Sequence, residues 1–308
     1  PTPVRHRNLW LFLLLAAVWG SAFVAIKAGL AYFPPVLFAA LRYDVAGVVM
    51  LAYAAYAADR WRPETAGEWR LVGIGGLFLI AGYHALLFVG QQYTTSAAAA
   101  VIVALNPVLT TGFARGLLPG ERLAPAGIFG LVLGLAGVVV LARPDAATLF
   151  GGGMTGELLV LAAVSTFALG SVLTRRDGAS LPVETMQSWS MLVGAVAMHA
   201  ASPLVGESVS AVRWTPGALA SLGYLALAAS ALGFLIYFVL LERLGPVEIN
   251  LVSYVVPLWA ALVGWLLLAE VVTAATVAGF VLILLGFGLI KREELAGEFE
   301  RVRRARAG

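Results

Sequence analysis

Asn250, Ser253, Tyr254 and Pro257 fall at i, i+3, i+4 and i+7 of one apolar run, so on a helix they share a single face. Within a bilayer such a stripe of amide, hydroxyl and phenol groups turns away from lipid. It either lines an interior that holds a small polar ligand or joins helices by hydrogen bonds, and the spacing leaves both open. Asn106 and Thr110, four residues apart, form a second stripe beside Pro107. Proline removes one backbone N–H and leaves a carbonyl one turn earlier in need of a partner, so Pro107 and Pro257 are expected helix breaks.

Aromatic residues supply the rest of a candidate lining: Trp19 and Phe23, Tyr83, Phe167, and Tyr224, Phe234 and Tyr237. Flat rings suit apolar or aromatic solutes, and the hydroxyl or indole N–H adds one hydrogen bond. A membrane-interface belt is the alternative for rings near helix ends. Trp10, Trp61, Trp69 and Trp214 fit such a belt, whereas Trp19 lies about ten residues inside its run.

Three ionisable residues also sit deep in apolar runs. Arg42 and Asp44 are two apart, so they point to different faces and are not each other's simple partner. Arg42 would snorkel, brace a gate or hold an anion; Asp44 would carry a proton or bond a neighbouring helix. His84 would relay a proton or rest as a neutral, hydrogen-bonded histidine. Glu248, just after Gly245-Pro246, reads as a helix cap.

Other chemistries find no support in the sequence. There is no cysteine, hence no disulfide and no thiolate, and with only three histidines there is no His-Glu-x-x-His zinc motif. No Gly-x-x-x-x-Gly-Lys-Ser/Thr loop is present to bind ATP, and the glycines at 151–153 have no following lysine. No cofactor or metal is expected, and any driving force must come from ion or solute gradients. The net charge of +3 gives no nucleic-acid signal, because the basic residues fall at helix ends.

The elements that position these residues follow from composition. The chain is 61% apolar and only 12% charged, with a mean hydropathy of +0.92, which marks an all-α integral membrane protein. Period-2 alternation is absent, excluding a β-barrel. Apolar runs of mostly 17 to 25 residues predict ten transmembrane helices over 9–27, 36–57, 71–90, 95–116, 125–142, 155–173, 183–203, 217–241, 247–268 and 274–290. Pro34-Pro35, Pro119-Gly120, Arg143-Pro144, Thr215-Pro216 and Gly245-Pro246 punctuate them.

The chain also repeats itself. Glu121, Gly130, Gly137 and Arg143 recur 149 residues later as Glu270, Gly279, Gly286 and Arg292, and Pro107 recurs at an offset of 150 as Pro257. Leu15-Ala16-Ala17-Val18 returns as Leu161-Ala162-Ala163-Val164, which assigns the first run to the repeat rather than to a cleaved leader. The units are 1–150 and 151–292, followed by a basic tail, 293–308, that is either an amphipathic helix on anionic lipid or a solvated end.

With the N-terminus inside, sixteen Lys and Arg fall on the cytoplasmic side and three outside, with Arg42 within a span; without the final six the balance is ten to three. Both termini are therefore expected in the cytoplasm of a plasma-membrane protein. Five crossings per half place the second half upside down relative to the first, a 5+5 inverted repeat.

Trp19-Gly20 in the first span, Arg42 early in the second, the mid-span prolines Pro107 and Pro257, and two Leu-Leu-x-x-Glu span ends together resemble the drug/metabolite transporter superfamily, in particular the EamA-type transporters. The resemblance covers essentially the whole chain. It implies a central cavity, alternating access, and export of amino acids, related metabolites or amphipathic compounds. Ser165-Thr166 stands where the second half would repeat Trp19-Gly20. The expected binding set is Trp19, Tyr83, Asn106, Phe167, Tyr224, Asn250 and Tyr254, with Arg42, Asp44 and His84 as coupling or gating residues. The expected partners are a small neutral or zwitterionic solute, the lipid bilayer and, where coupling exists, protons, in a monomer or homodimer. A passive pore and an intramembrane enzyme or lipid-binding subunit using His84 with Asp44 are the rivals.

Overall fold

The computed structural model describes residues 3–118, 125–142, 154–244, 249 and 252–290. All regular structure among them is helical. In chain order the segments are α1 (Pro3–Gly29), α2 (Pro35–Ala57), α3 (Ala66–Gly90), α4 (Ser96–Leu117), α5 (Pro125–Ala142), α6 (Thr155–Asp177), α7 (Val183–Leu204), α8 (216–244), α9 (Val252–Leu268) and α10 (Ala274–Ile290). Six are long and apolar enough to cross a membrane: α1, α2, α3, α4, α6 and α8. The described parts of α5, α9 and α10 are apolar but shorter. The 22-residue α7 is more polar and buries Thr185, Ser188, Ser190 and Ser202 against its neighbours.

Helix starts follow local chemistry. Thr65 and Glu68 form a capping box, so α3 begins five residues before the apolar run does. Thr95, Thr215 and Thr273 accept the amides of Ala98, Ala218 and Thr276 at 3.1 Å in each case. Two further starts are capped from distant loops: Glu207 takes the Val36 and Leu37 amides of α2 at 2.9 and 2.8 Å, and Glu270 takes the Ser96 amide of α4.

Within α4 the helix ends at Val103 and restarts at Asn106, so the chain does break at Pro107. Pro257, expected as the equivalent break, lies inside α9 without ending it. α1 packs closely here: a side chain at Gly20 would meet the Val256 carbonyl at 2.7 Å.

The packing of the helices is reciprocal. α1 packs on α9 as α6 packs on α4, α8 packs on α1 as α3 packs on α6, and α2 pairs with α7 and α5 with α10. The glycine-spaced runs meet each other in the last pair. A Cβ at Gly137 would lie 2.6 Å from the Gly279 carbonyl, and one at Gly286 would lie 2.5 Å from the Gly130 carbonyl. Only glycine permits that backbone contact. The order of these contacts makes α5 and α10 antiparallel; Gly47 against Leu192 and Asp44 against His199 make α2 and α7 antiparallel as well.

Candidate functional site

α3 and α8 each contain a π-helical stretch, Gly75–Gly82 and Tyr224–Leu232, and their first residues are 149 positions apart. A π-stretch shifts the backbone hydrogen-bond register, frees carbonyls, and often marks a functional site. Two equivalent carbonyls are used alike. Ala229 O accepts the Trp19 Nε1–H at 3.0 Å, and Ile80 O accepts the His84 Nδ1–H at 2.9 Å.

These bonds organise two aromatic groups in the interior. On one side Trp19 packs against Phe234 and Tyr237, with ring centroids 5.9 and 5.6 Å away, while the Tyr224 hydroxyl donates to Val18 O at 3.0 Å. Gly233 makes room for the indole, since a Cβ there would sit 2.6 Å from Nε1. On the other side Tyr83 packs on Phe167 at 5.2 Å and on His84 at 4.5 Å. With Nδ1–H committed to Ile80, the neutral ring accepts at Nε2 from the Tyr43 hydroxyl, 2.6 Å away.

Arg42 lies between the two groups. It is only 6% exposed, its Nε donates to Ser230 Oγ at 2.9 Å, and its guanidinium sits 5.1 Å from the centre of the Tyr43 ring. The fork is thus held from α2 and α8 at once.

Other expected site residues lie elsewhere. Among the described residues Asn106 bonds only Thr110, whose hydroxyl donates to its Oδ1 at 3.3 Å on the same helix. Tyr254 stacks on Phe287 of α10 at 4.7 Å and keeps a buried hydroxyl without a partner. Asp44 bonds His199 of α7 at 2.7 Å, both side chains being partly exposed. Asp44 and His84 therefore have separate partners, and the pair that an intramembrane enzyme would need is not assembled. Asn250, Glu121, Glu248, Arg143 and Arg292 lie outside the described residues. Trp10, Trp61, Trp69 and Trp214 are exposed, as belt residues would be.

Polar ties join the helices at both ends of this interior. At one end Lys27 Nζ donates to the carbonyls of Gln91 and Thr94 at 2.7 and 2.9 Å, Thr94 Oγ1 donates to Glu157 at 2.8 Å, and Glu270 holds Ser96. They surround a recess of about 370 Å³, also lined by Thr95, Ala98, Leu141, Thr273 and Thr276. At the opposite end Arg60 pairs with Glu68 and Arg70 with Asp177, and Thr185 Oγ1 donates to Arg60 O at 2.6 Å. Tyr43, Ser230 and both π-stretches escaped the sequence reading. Only the 149-residue offset, applied to α3 and α8, connects the latter.

A helical membrane bundle with a polar and aromatic interior and polar ties between helices at either end is the build of a membrane transporter. Residues 7–143 and 154–292 each match the EamA-like transporter family, and the chain belongs to that family, within the drug/metabolite transporter superfamily. It is 29% identical over 294 residues to an uncharacterised transporter, YvbV, of Bacillus subtilis (strain 168), covering 95% of this chain and 94% of that one. It is 31% identical over 251 residues to an uncharacterised inner membrane transporter, YedA, of Escherichia coli (strain K12), covering 81% and 79%. A solved crystal structure 25% identical in sequence superposes with a TM-score of 0.63 over 93% of this chain and 97% of the other.

Proposed function

We propose that this multi-pass membrane protein is a secondary transporter that exports small neutral or zwitterionic, partly apolar metabolites, with amino acids as the leading class. It works by alternating access in a ten-span, 5+5 inverted repeat with both termini cytoplasmic. The reciprocal packing carries this reading. Two halves related by an axis in the membrane plane pair each helix of one half with its counterpart's partner in the other, and pair equivalent helices antiparallel. The α2–α7 and α5–α10 pairs do so.

The aromatic groups lie where the halves meet, which is where such transporters hold substrate. The Lys27 and Glu270 ties close one mouth and the Arg60 and Arg70 ties the other, so each mouth opens by breaking its own set. The apolar walls favour solutes with an apolar or aromatic body. The test is counterflow of labelled phenylalanine in proteoliposomes, with and without a proton gradient. A carrier gives saturable exchange, and a passive pore gives flux that does not saturate.

A further inference from the structure

We propose that Arg42 is the carboxylate anchor of the interior site, that Ser230 aims it, and that the solutes carried are monocarboxylates with an apolar or aromatic body. The inference rests on the transporter reading above and narrows its substrate. A guanidinium cannot shed its proton, and a charge deep in a membrane protein is costly unless something compensates it. Among the described residues no carboxylate does. Asp44 is engaged by His199, Glu68 by Arg60, Asp177 by Arg70, Glu207 by the start of α2 and Glu270 by Ser96.

Among the described residues, one of the five N–H groups of Arg42 has a protein acceptor, Ser230 Oγ. The terminal nitrogens, although the residue is 6% exposed, are not among the buried atoms sealed without a partner. They face space that water can enter. A planar fork held at its Nε, with the outer edge free, matches the two oxygens of a carboxylate.

Its supports keep the fork in place. The Tyr43 ring beside the guanidinium is held by His84, and His84 by Ile80 O. On either side stand Trp19 with Tyr224 and Tyr83 with Phe167, whose rings would face the apolar body of such a solute. One guanidinium balances one negative charge, which selects a monocarboxylate over a phosphate dianion.

Three probes isolate the carboxylate: phenylalanine, 3-phenylpropionate, which lacks the amine, and phenethylamine, which lacks the carboxylate. Binding to the purified full-length protein is read from the ligand-induced rise in melting temperature, and transport from counterflow. Phenylalanine and 3-phenylpropionate are expected to bind at least tenfold more tightly than phenethylamine. Arg42→Gln should lose at least tenfold for the two acids while leaving phenethylamine within twofold, with Arg42→Lys in between. Phenethylamine binding as tightly as phenylalanine to the native protein would overturn the inference, and that comparison needs no variant. Phenylalanine affinity unchanged in a folded Arg42→Gln protein would overturn it too. If no probe binds or moves, the transporter reading for amino acids falls and the inference with it, a result distinct from exchange that ignores the carboxylate.

Discussion

Replacing Glu270 with glutamine should loosen one mouth of the transporter by a calculable amount. Its carboxylate accepts the Ser96 amide at 3.1 and 3.0 Å and the Ser96 hydroxyl at 3.2 Å, tying the end of α9 to the first turn of α4. An anion at a helix start is favoured both by the free amides and by the helix dipole. Glutamine keeps one acceptor oxygen but loses the charge, a loss of about 1.5 kcal/mol for a charge-assisted bond. Every 1.4 kcal/mol is about a tenfold change in an equilibrium, so the form open at this mouth should become about tenfold more populated. The chain contains no cysteine, which provides a clean reporter. A cysteine placed at Ala98, buried at the floor of the recess, should react about tenfold faster with an impermeant maleimide in the Glu270→Gln background. A rate within twofold of the parent, in protein that melts normally, would refute the role of this tie in closure.

Two further substitutions probe the packing. Gly279→Leu places a side chain 2.5 Å from the Gly137 carbonyl and should cost about 1–3 kcal/mol by overpacking. Gly288→Leu, which meets nothing within 4 Å, should leave the melting temperature nearly unchanged. Gly233→Ala presses on Trp19 Nε1 and should break its bond to Ala229 O. Its signature is a several-fold weaker phenylalanine affinity in a folded protein, of the order that one lost hydrogen bond of about 1 kcal/mol produces.

Much of the fold was legible because membrane helices advertise themselves by length and hydropathy. The 149-residue offset matches Gly130 to Gly279 and Gly137 to Gly286, whereas the antiparallel contact brings Gly137 to Gly279 and Gly130 to Gly286, a crossing that the offset alone does not show. The site was less legible, since its bonds join residues far apart in sequence: Arg42 to Ser230 across 188 positions and Trp19 to Ala229 across 210. The π-stretches change backbone register without changing hydropathy, so no periodicity reveals them. Asp44 looked buried by position along its span, but it lies on the α2 face that meets His199 near the surface. Pro107 and Pro257 are the same residue at equivalent places in the repeat, yet the chain breaks beside the first and runs on as helix through the second, a difference the residue type alone does not carry.

Alternating access is tested most directly by one interior cysteine approached from both sides. Ser21 on α1 is half-buried near Tyr224. Ser21→Cys should be labelled by an impermeant reagent in right-side-out and in inverted vesicles alike, and saturating phenylalanine should slow both reactions. Labelling from one side only, or no protection from either, would contradict a carrier that presents a single site to each face of the membrane in turn.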